Sequence, residues 1–507
     1  MKTKKILTSL LLAAATTANA GGILTNTNQS IDFLRNPARD AAIGLDGVYS
    51  NPAGVAFLPE GFHLGLNWQY AHQTRTITST NPVFALGRKN SGLTTKQFEG
   101  VADAACIPSI QAAFNHGKFS HQFNFSVPGG GGKCEFADGL GSFESVVGSI
   151  AHQLNPLGAE GYDMDGFMQG RQYYFGFQLG TAYKVNDNFS LYGGLRLLYG
   201  TATYKAKISN IQVKMAGNGY VDFASFLSGA TATIDAGLQQ VAAGLQQISA
   251  GIAQYEAAGA PIPAELTAQQ TALQGKQAQL ESTRGSLDQL QKYSQGVNLL
   301  CNQTSLGVAP VVGIDYRLGK WNFAAKYEFK TQIRMKNEST VNEASEIPAV
   351  NKFRDGEEVN EDQPAQLALG VQWTPVDDIR LNAGWHYYFD KDADWYNNTQ
   401  RLLDHNTNEY LLGAEWDVND RLTLSLGAQL THYGLSDQYM NDMSFVTSSY
   451  SIGLGGSYKL SDVVTLKAGY FTTNYEDYER KDYPTAGVSD TYTRTNRVLG
   501  IGCDINL

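Results

Sequence analysis

The side chains of this chain that could do chemistry are its eight histidines, its four cysteines and a few cations on alternating segments. His63, His386 and His432 fall within such segments, and His386 lies on the polar, inward face of its own. Lipid-modifying chemistry would need a nucleophile and a base placed together. No Gly-x-Ser-x-Gly elbow is present, and a single strand histidine reads as a polar group of a barrel interior. The run Gly129–Gly132 lacks the strand-turn-helix context of a phosphate loop and reads as an outer loop. Cys106, Cys134, Cys301 and Cys503 form no CxxC pair, so no zinc site is expected. An oxidising compartment would permit a disulfide among them, in a pairing the sequence leaves open. The chain is expected to have no catalytic residues, no metal and no cofactor, and not to be an enzyme. Four cations remain: Arg196, Lys326, Arg334 and Arg380. A charge in a low-dielectric interior calls for an opposite partner. That partner is either the carboxylate head of a ligand or an acid of the N-terminal segment, Asp32, Asp40 or Asp46.

The elements that carry these groups read as long strands. Ile379, Leu381, Ala383, Trp385, Tyr387 and Phe389 alternate with Arg380, Asn382, Gly384, His386 and Tyr388, which is period two. The same alternation places strands near 61–78, 105–116, 119–127, 172–185, 189–213, 303–317, 321–336, 363–374, 379–390, 409–418, 421–433, 446–459, 463–475 and 494–506. Segments of this length exceed the roughly 5–6 residues typical of soluble sheets. Connections alternate between short, as at Asn419-Asp420 and Ser461-Asp462, and long, near 337–362, 391–408, 434–445 and 476–493. About fourteen antiparallel strands, aromatic-rimmed and alternately linked, predict an all-β transmembrane barrel whose two ends meet on the periplasmic side. Composition agrees: charged residues are 17% against about 25% in soluble chains, and there are 27 Tyr and 53 Gly. The net charge of −10 argues against nucleic acid as a partner.

Three segments depart from the alternation. Residues 1–20 carry Lys2, Lys4 and Lys5, an apolar stretch and Ala18-Asn19-Ala20, which predicts a signal peptide and export. Residues 21–60 hold Asn36-Pro37, Asn51-Pro52 and Pro59 among scattered glycines, which predicts compact irregular chain folded into the lumen as a plug. The candidate plug and ligand residues are Ile23, Leu24, Asn51, Pro52 and Ala53. Within 223–298, Ile234, Leu238, Val241, Leu245, Ile248, Ile252 and Tyr255 follow a 4-3 spacing. Ala258–Pro263 breaks that helix, and Leu266, Leu273, Leu280, Leu287 and Leu290 line a second. This predicts an antiparallel helical hairpin inserted in the barrel wall, outside the cell by strand parity.

The run Ala41–Ala56, leading through Asn51-Pro52-Ala53, resembles the hatch signature of the FadL long-chain fatty-acid transporter family, which includes the TodX-type aromatic-hydrocarbon transporters. The insertion is longer and more heptad-like than that family would suggest. The resemblance implies a monomeric outer-membrane barrel of a Gram-negative cell, closed by an N-terminal hatch and set among lipid and lipopolysaccharide. It implies passive uptake of a hydrophobic molecule or lipid: capture outside, transfer to a site near the hatch, and lateral release through the wall. In that family the third strand is kinked to open the lateral gap, a place that Pro128-Gly129 would mark here. The competing readings are a barrel for surface attachment or partner docking through the helical hairpin, and an open porin.

Overall fold

In the computed structural model, which describes Ile23, Thr25, residues 29–341 and residues 348–507, the alternating segments close into one antiparallel barrel. The signal segment and Leu24 lie outside the described residues. The fourteen wall strands, in chain order, begin with β1 (Gly61–Thr80), β2 (Thr95–His116), β3 (Phe119–Phe136), β4 (Ala159–Asn186) and β5 (Phe189–Met215). They continue with β6 (Val297–Leu318), β7 (Trp321–Glu328, resuming at Arg334–Val341), β8 (Glu358–Asn360, resuming at Gln366–Val376), β9 (Ile379–Tyr388) and β10 (Thr407–Asp417). The last four are β11 (Leu422–His432), β12 (Ser449–Lys459), β13 (Val464–Tyr475) and β14 (Ser489–Asn506). β1 closes against β14 in an unbroken register from His63↔Asn506 to Thr80↔Ser489.

β2, β4 and β14 begin earlier than alternation alone suggested, at Thr95, Ala159 and Ser489 instead of near 105, 172 and 494. The added residues are mostly polar or small and lie toward the long loops, where the apolar face that makes period two visible fades.

The pleat sends alternate side chains outward. Leu195, Leu306, Leu412, Leu426, Leu454 and Ile501 stand exposed on the outside, as a bilayer requires. Aromatics collect where the wall meets the short turns: Trp321 stacks on Trp373 at 5.4 Å, and Phe119 meets Tyr183 at 5.2 Å. The two-residue turns are tight; Gly117 and Gly319 sit at φ +57° and +58°, a region that favours glycine.

Residues 29–60 lie inside this wall. α1 (Ile31–Arg35) is capped by Ser30 Oγ, which accepts the Phe33 N–H at 3.1 Å; α2 (Gly47–Ser50) and a 3-10 turn, Gly54–Phe57, follow. Inward wall glycines admit this chain. A Cβ on Gly370 would stand 2.6 Å from the Ala41 nitrogen, and one on Gly469 would stand 2.9 Å from Leu34 Cβ. Gly453 faces the Leu34 carbonyl just as closely.

On the long-loop side, α3 (Gly141–Gln153) lies between β3 and β4, and the insertion between β5 and β6 forms α4 (Phe223–Ala257) and α5 (Ala264–Ser294). The 4-3 seam is real: Gly237 faces Leu280, Gly244 faces Leu273, and Arg284 Nε pairs with Asp235 at 2.8 Å. Among the described residues the base packs on the body of the protein, where Phe223, Leu227, Leu287 and Leu290 join Val147 and Ile150 of α3. Removing 238–283 behind a short Gly/Ser bridge should therefore leave the barrel heat-modifiable on gels. Leu287→Ala at the base should cost about 2–5 kcal/mol locally, read as protease cleavage within 223–298. Loss of heat modifiability on truncation would show that the distal arms support the wall.

Candidate functional site: the plug, the lumen and a gap in the wall

The plug is fastened to the short-turn half of the barrel by buried ion pairs. Arg35 meets Asp32 at 2.8 Å and Glu415 of β10 at 3.1 Å. Arg39 meets Asp46 at 2.8 Å and the same Glu415 at 3.1 Å. Lys467 of β13 bridges Asp32 and Asp504 of β14. His386 is held between Asp40 Oδ1 at 2.8 Å and Glu409 Oε2 at 2.9 Å. The three plug acids thus meet Lys467, His386 and the plug's own arginines, which sequence inspection had not paired with them.

The four lumen cations go elsewhere and do not converge on one point. Arg196 pairs with Glu328 and Gln178, and its guanidinium carbon lies 4.8 Å from the Tyr49 ring centroid. Lys326 donates to the Tyr49 carbonyl at 3.0 Å and lies 4.7 Å from the same ring. Arg334 pairs with Asp362 at 2.6 Å; Arg380 pairs with Asp417 and, at 3.2 Å, with Glu415. Tyr49, on which two of these cations rest, carries no signal in the sequence beyond its place in the small-residue run.

Asn51, Pro52 and Ala53 stitch the plug to three strands. Asn51 Nδ2 donates to Asp315 of β6 at 2.6 Å, Gln122 of β3 donates to the Pro52 carbonyl at 2.8 Å, and Ser190 of β5 donates to the Ala53 carbonyl at 2.7 Å. Ile23 lies apart from them, in the apolar cluster of the long-loop half with Ile77, Phe98, Phe445 and Tyr492. Its N–H donates to Asp390 at 3.3 Å. Asp390, in the loop after β9, has its carboxyl pushed up to about 6 by burial. All four thiols are free, Cys134 and Cys301 buried and Cys106 exposed.

Between plug and wall, Phe33, Arg39, Asp40, Tyr49, Lys326 and His386 line a cavity of about 20 Å³. That is about the room for one water, not for a ligand.

Beside the plug the pairing of β2 with β3 is interrupted. β2 and β3 pair from Gly100↔Phe136 to Ala102↔Cys134 and again from Ile110↔Phe125, with no pairing between. Pro108 and Pro128 stand on the two sides, and neither has an N–H to give a ladder. Gly130 and Gly132, at φ +100° and +73°, turn β3 away. Ala105 and Cys106 bulge opposite Tyr70 of β1. The plug spans the interruption. Gln29 Nε2 donates to the Val127 carbonyl at 3.2 Å, Gln29 Oε1 accepts the Val127 N–H at 3.1 Å, and Ser109 of β2 donates to the Gln29 carbonyl. The Gln29 amide thus replaces the missing backbone partner. Ala104 and Ile107 on the β2 edge touch the plug's apolar cluster of Ile31, Phe33 and Leu34.

Asp32→Ala should loosen the plug by on the order of 3 kcal/mol, because Lys467 and Arg35 stay buried with less compensating charge. A cysteine placed at Ser30 should then react faster with a polar thiol reagent while the wall stays heat-modifiable. Unchanged reactivity would mean that these ion pairs do not hold the plug.

No protein-family model matches the sequence, and no curated protein matches it. Solved structures do match in shape. A Pseudomonas aeruginosa FadL homologue superposes with a TM-score of 0.60 at 13% identity, over 96% of this chain and 100% of that one. The P. putida toluene transporter TodX gives 0.55 at 11%, over 92% and 94%, and the Ralstonia pickettii toluene transporter TbuX gives 0.51 at 12%, over 94% and 97%. With its closed fourteen-strand wall and the N-terminal segment folded inside, the chain has the fold of the FadL and TodX barrels.

Proposed function

We propose that this protein is a Gram-negative outer-membrane channel for passive uptake of hydrophobic molecules, long-chain fatty acids or compounds like them. In this reading the ligand is captured on the long-loop side, passes the plug and leaves sideways into the bilayer. The observation that carries it is the interrupted β2–β3 pairing, bridged from inside by Gln29. Lipid offers no hydrogen bonds, so an unpaired stretch of wall survives only where protein covers it. Here the cover is the plug, through Gln29. The neighbours of similar fold include toluene transporters, which supports a hydrophobic cargo. The barrel is taken to act as a monomer in a lipid and lipopolysaccharide leaflet, with the helical hairpin outside the cell.

Water-filled diffusion is a poor alternative, since the plug is tied to the wall on several strands by buried ion pairs and hydrogen bonds. Movement of the plug must therefore accompany passage, and Gln29 is where that movement would free the gap.

Two measurements test this. In cells lacking other transporters of this kind, uptake of long-chain fatty acids or of small aromatics should depend on the protein; independence of both defeats the reading. A bulky lipophilic maleimide on Cys106, the exposed thiol at the bulge, should slow uptake severalfold in the native chain and not in Cys106→Ser. Gln29→Ala should do the opposite, because it leaves the Val127 amide without its partner at about 1–3 kcal/mol per group. Uptake that ignores both changes would exclude lateral exit at this gap.

A further inference from the structure

The short-turn end of the β2–β3 hairpin carries two histidines on its outward face. His116 closes β2, Gly117 and Lys118 make the turn, and β3 begins at Phe119. His116 is paired with Phe119 and Phe114 with His121, so the two imidazoles are diagonal neighbours across the strands. Their ring centroids lie 5.2 Å apart, and Nε2 faces Nε2 at 3.1 Å. Both side chains are exposed. The rings are held by their surroundings: Phe114 and Phe119 lie 5.2 Å and 6.0 Å from His116, and Phe119 is parallel to His121 within 1°.

Two ring nitrogens at that separation must share either a hydrogen or an ion. His121 Nδ1 lies 3.0 Å from Thr181 Oγ1 of β4. That hydroxyl can accept an Nδ1–H, and His121 then presents its Nε2 lone pair toward His116. Metal-ligating histidines are oriented in this way, with the far ring nitrogen held by a neighbouring acceptor. The spacing also suits an ion. With metal–nitrogen bonds of about 2.0–2.1 Å, two ligands at a right angle stand about 2.9 Å apart and two at the tetrahedral angle about 3.3 Å. The observed 3.1 Å lies between these. Neighbouring charges leave the place open to a cation: Lys118 Nζ is drawn off to the Val185 carbonyl at 3.2 Å, and Glu60 Oε1 accepts the Gly117 N–H at 3.0 Å. His405 and His432 make a useful contrast. They stack ring on ring at 5.1 Å, and His405 Nδ1 is spent on the Asn406 carbonyl.

We propose that His116 and His121 bind a divalent transition-metal ion, Zn2+, Cu2+ or Ni2+, through their Nε2 atoms at the short-turn rim of the barrel. Imidazole suits these ions, whereas Mg2+ and Ca2+ call for oxygen ligands. No group of three or more His, Cys, Asp or Glu side chains is placed to hold a metal among the described residues, so water or a small anion completes the coordination. The ion ties the last residue of β2 to β3 and, through Thr181, to β4, on the short-turn side of the stretch where β2 and β3 are unpaired. Because it binds only the paired hairpin, it stabilises the folded barrel by mass action. The inference is independent of the uptake reading.

The test uses the full-length protein without an added histidine tag, purified in a nonionic detergent at pH 8 and stripped with a chelator that is then removed. Bound metal is counted by equilibrium dialysis against zinc, copper or nickel chloride, with magnesium and calcium chloride as controls. The native protein should take up about one ion per chain of at least one transition metal, and bind Mg2+ and Ca2+ at least tenfold more weakly. The temperature of heat modification should rise with that metal and fall back when chelator is added. His116→Ala and His121→Ala should each abolish this uptake, and His405→Ala should leave it intact. Thr181→Val should weaken binding by on the order of tenfold to a hundredfold; unchanged affinity would overturn the part given to Thr181. If an Ala variant fails to assemble, Phe at that position is read instead: it keeps a ring in the aromatic rim and removes the nitrogens. No uptake by the native protein, equal binding of Mg2+, or uptake that survives loss of either histidine overturns the site and leaves a plain hydrogen bond between two imidazoles.

Discussion

A closed wall of fourteen strands encloses more space than its own inward side chains can fill. Eight strands give an interior that side chains just occupy, and sixteen or more leave an aqueous channel. This barrel lies between those limits, and its first described residues supply the missing filling. Much else follows from that constraint. The wall must offer flat places where another backbone can lie, hence the inward glycines at Gly370, Gly453 and Gly469. The plug must carry its own short-range order, hence a capped single-turn helix at Ile31–Arg35 and the Asn51 turn.

The contact between plug and wall is strongly polar, which suits a part that has to stay in place and yet be able to move. An apolar plug on an apolar wall would bind through area alone and without direction. Buried ion pairs fix position, because each charge left unpaired is costly. Glu415 illustrates this: Arg35 and Arg39 of the plug and Arg380 of the wall all reach it. The apolar patches between, such as Leu34 with Phe471 and Val498, add contact without setting the register.

Against this, some places are incompletely satisfied, and two of them lie close together. At the β2–β3 interruption the wall has given up ladder bonds and borrows a glutamine side chain in their stead. At Arg75 of β1 and Arg494 of β14 charge is buried without its complement among the described residues. They lie on adjoining strands at nearly the same level. The helical hairpin shares none of this. Its distal seam is closed on itself, and among the described residues its base meets α3 and the loops over the barrel.

Period two made the strands legible wherever one face meets lipid, as at β9 and β11, because alternation is a local consequence of the pleat. The 4-3 spacing revealed the hairpin for the same reason, and proline with glycine marked residues 29–60 as something other than wall. Strand starts such as Ala159 are hidden from period two because bulges between Ala159 and Gly161 and between Asp163 and Asp165 break the register there. Pro128 is visible as a break, but its meaning needs Pro108, and nothing along the chain says that both lie in one unpaired stretch of wall. The charge partners were less legible still. Asp40 and His386 are 346 residues apart, and Arg75 meets Arg494 only because the first strand closes on the last in one register. The chain's own pattern therefore determined a plugged barrel with a helical insertion, since each of those elements is specified by neighbours within a few residues. Which acid meets which cation, and which cations are left without one, was decided by closure of the barrel, because that alone brings distant strands side by side.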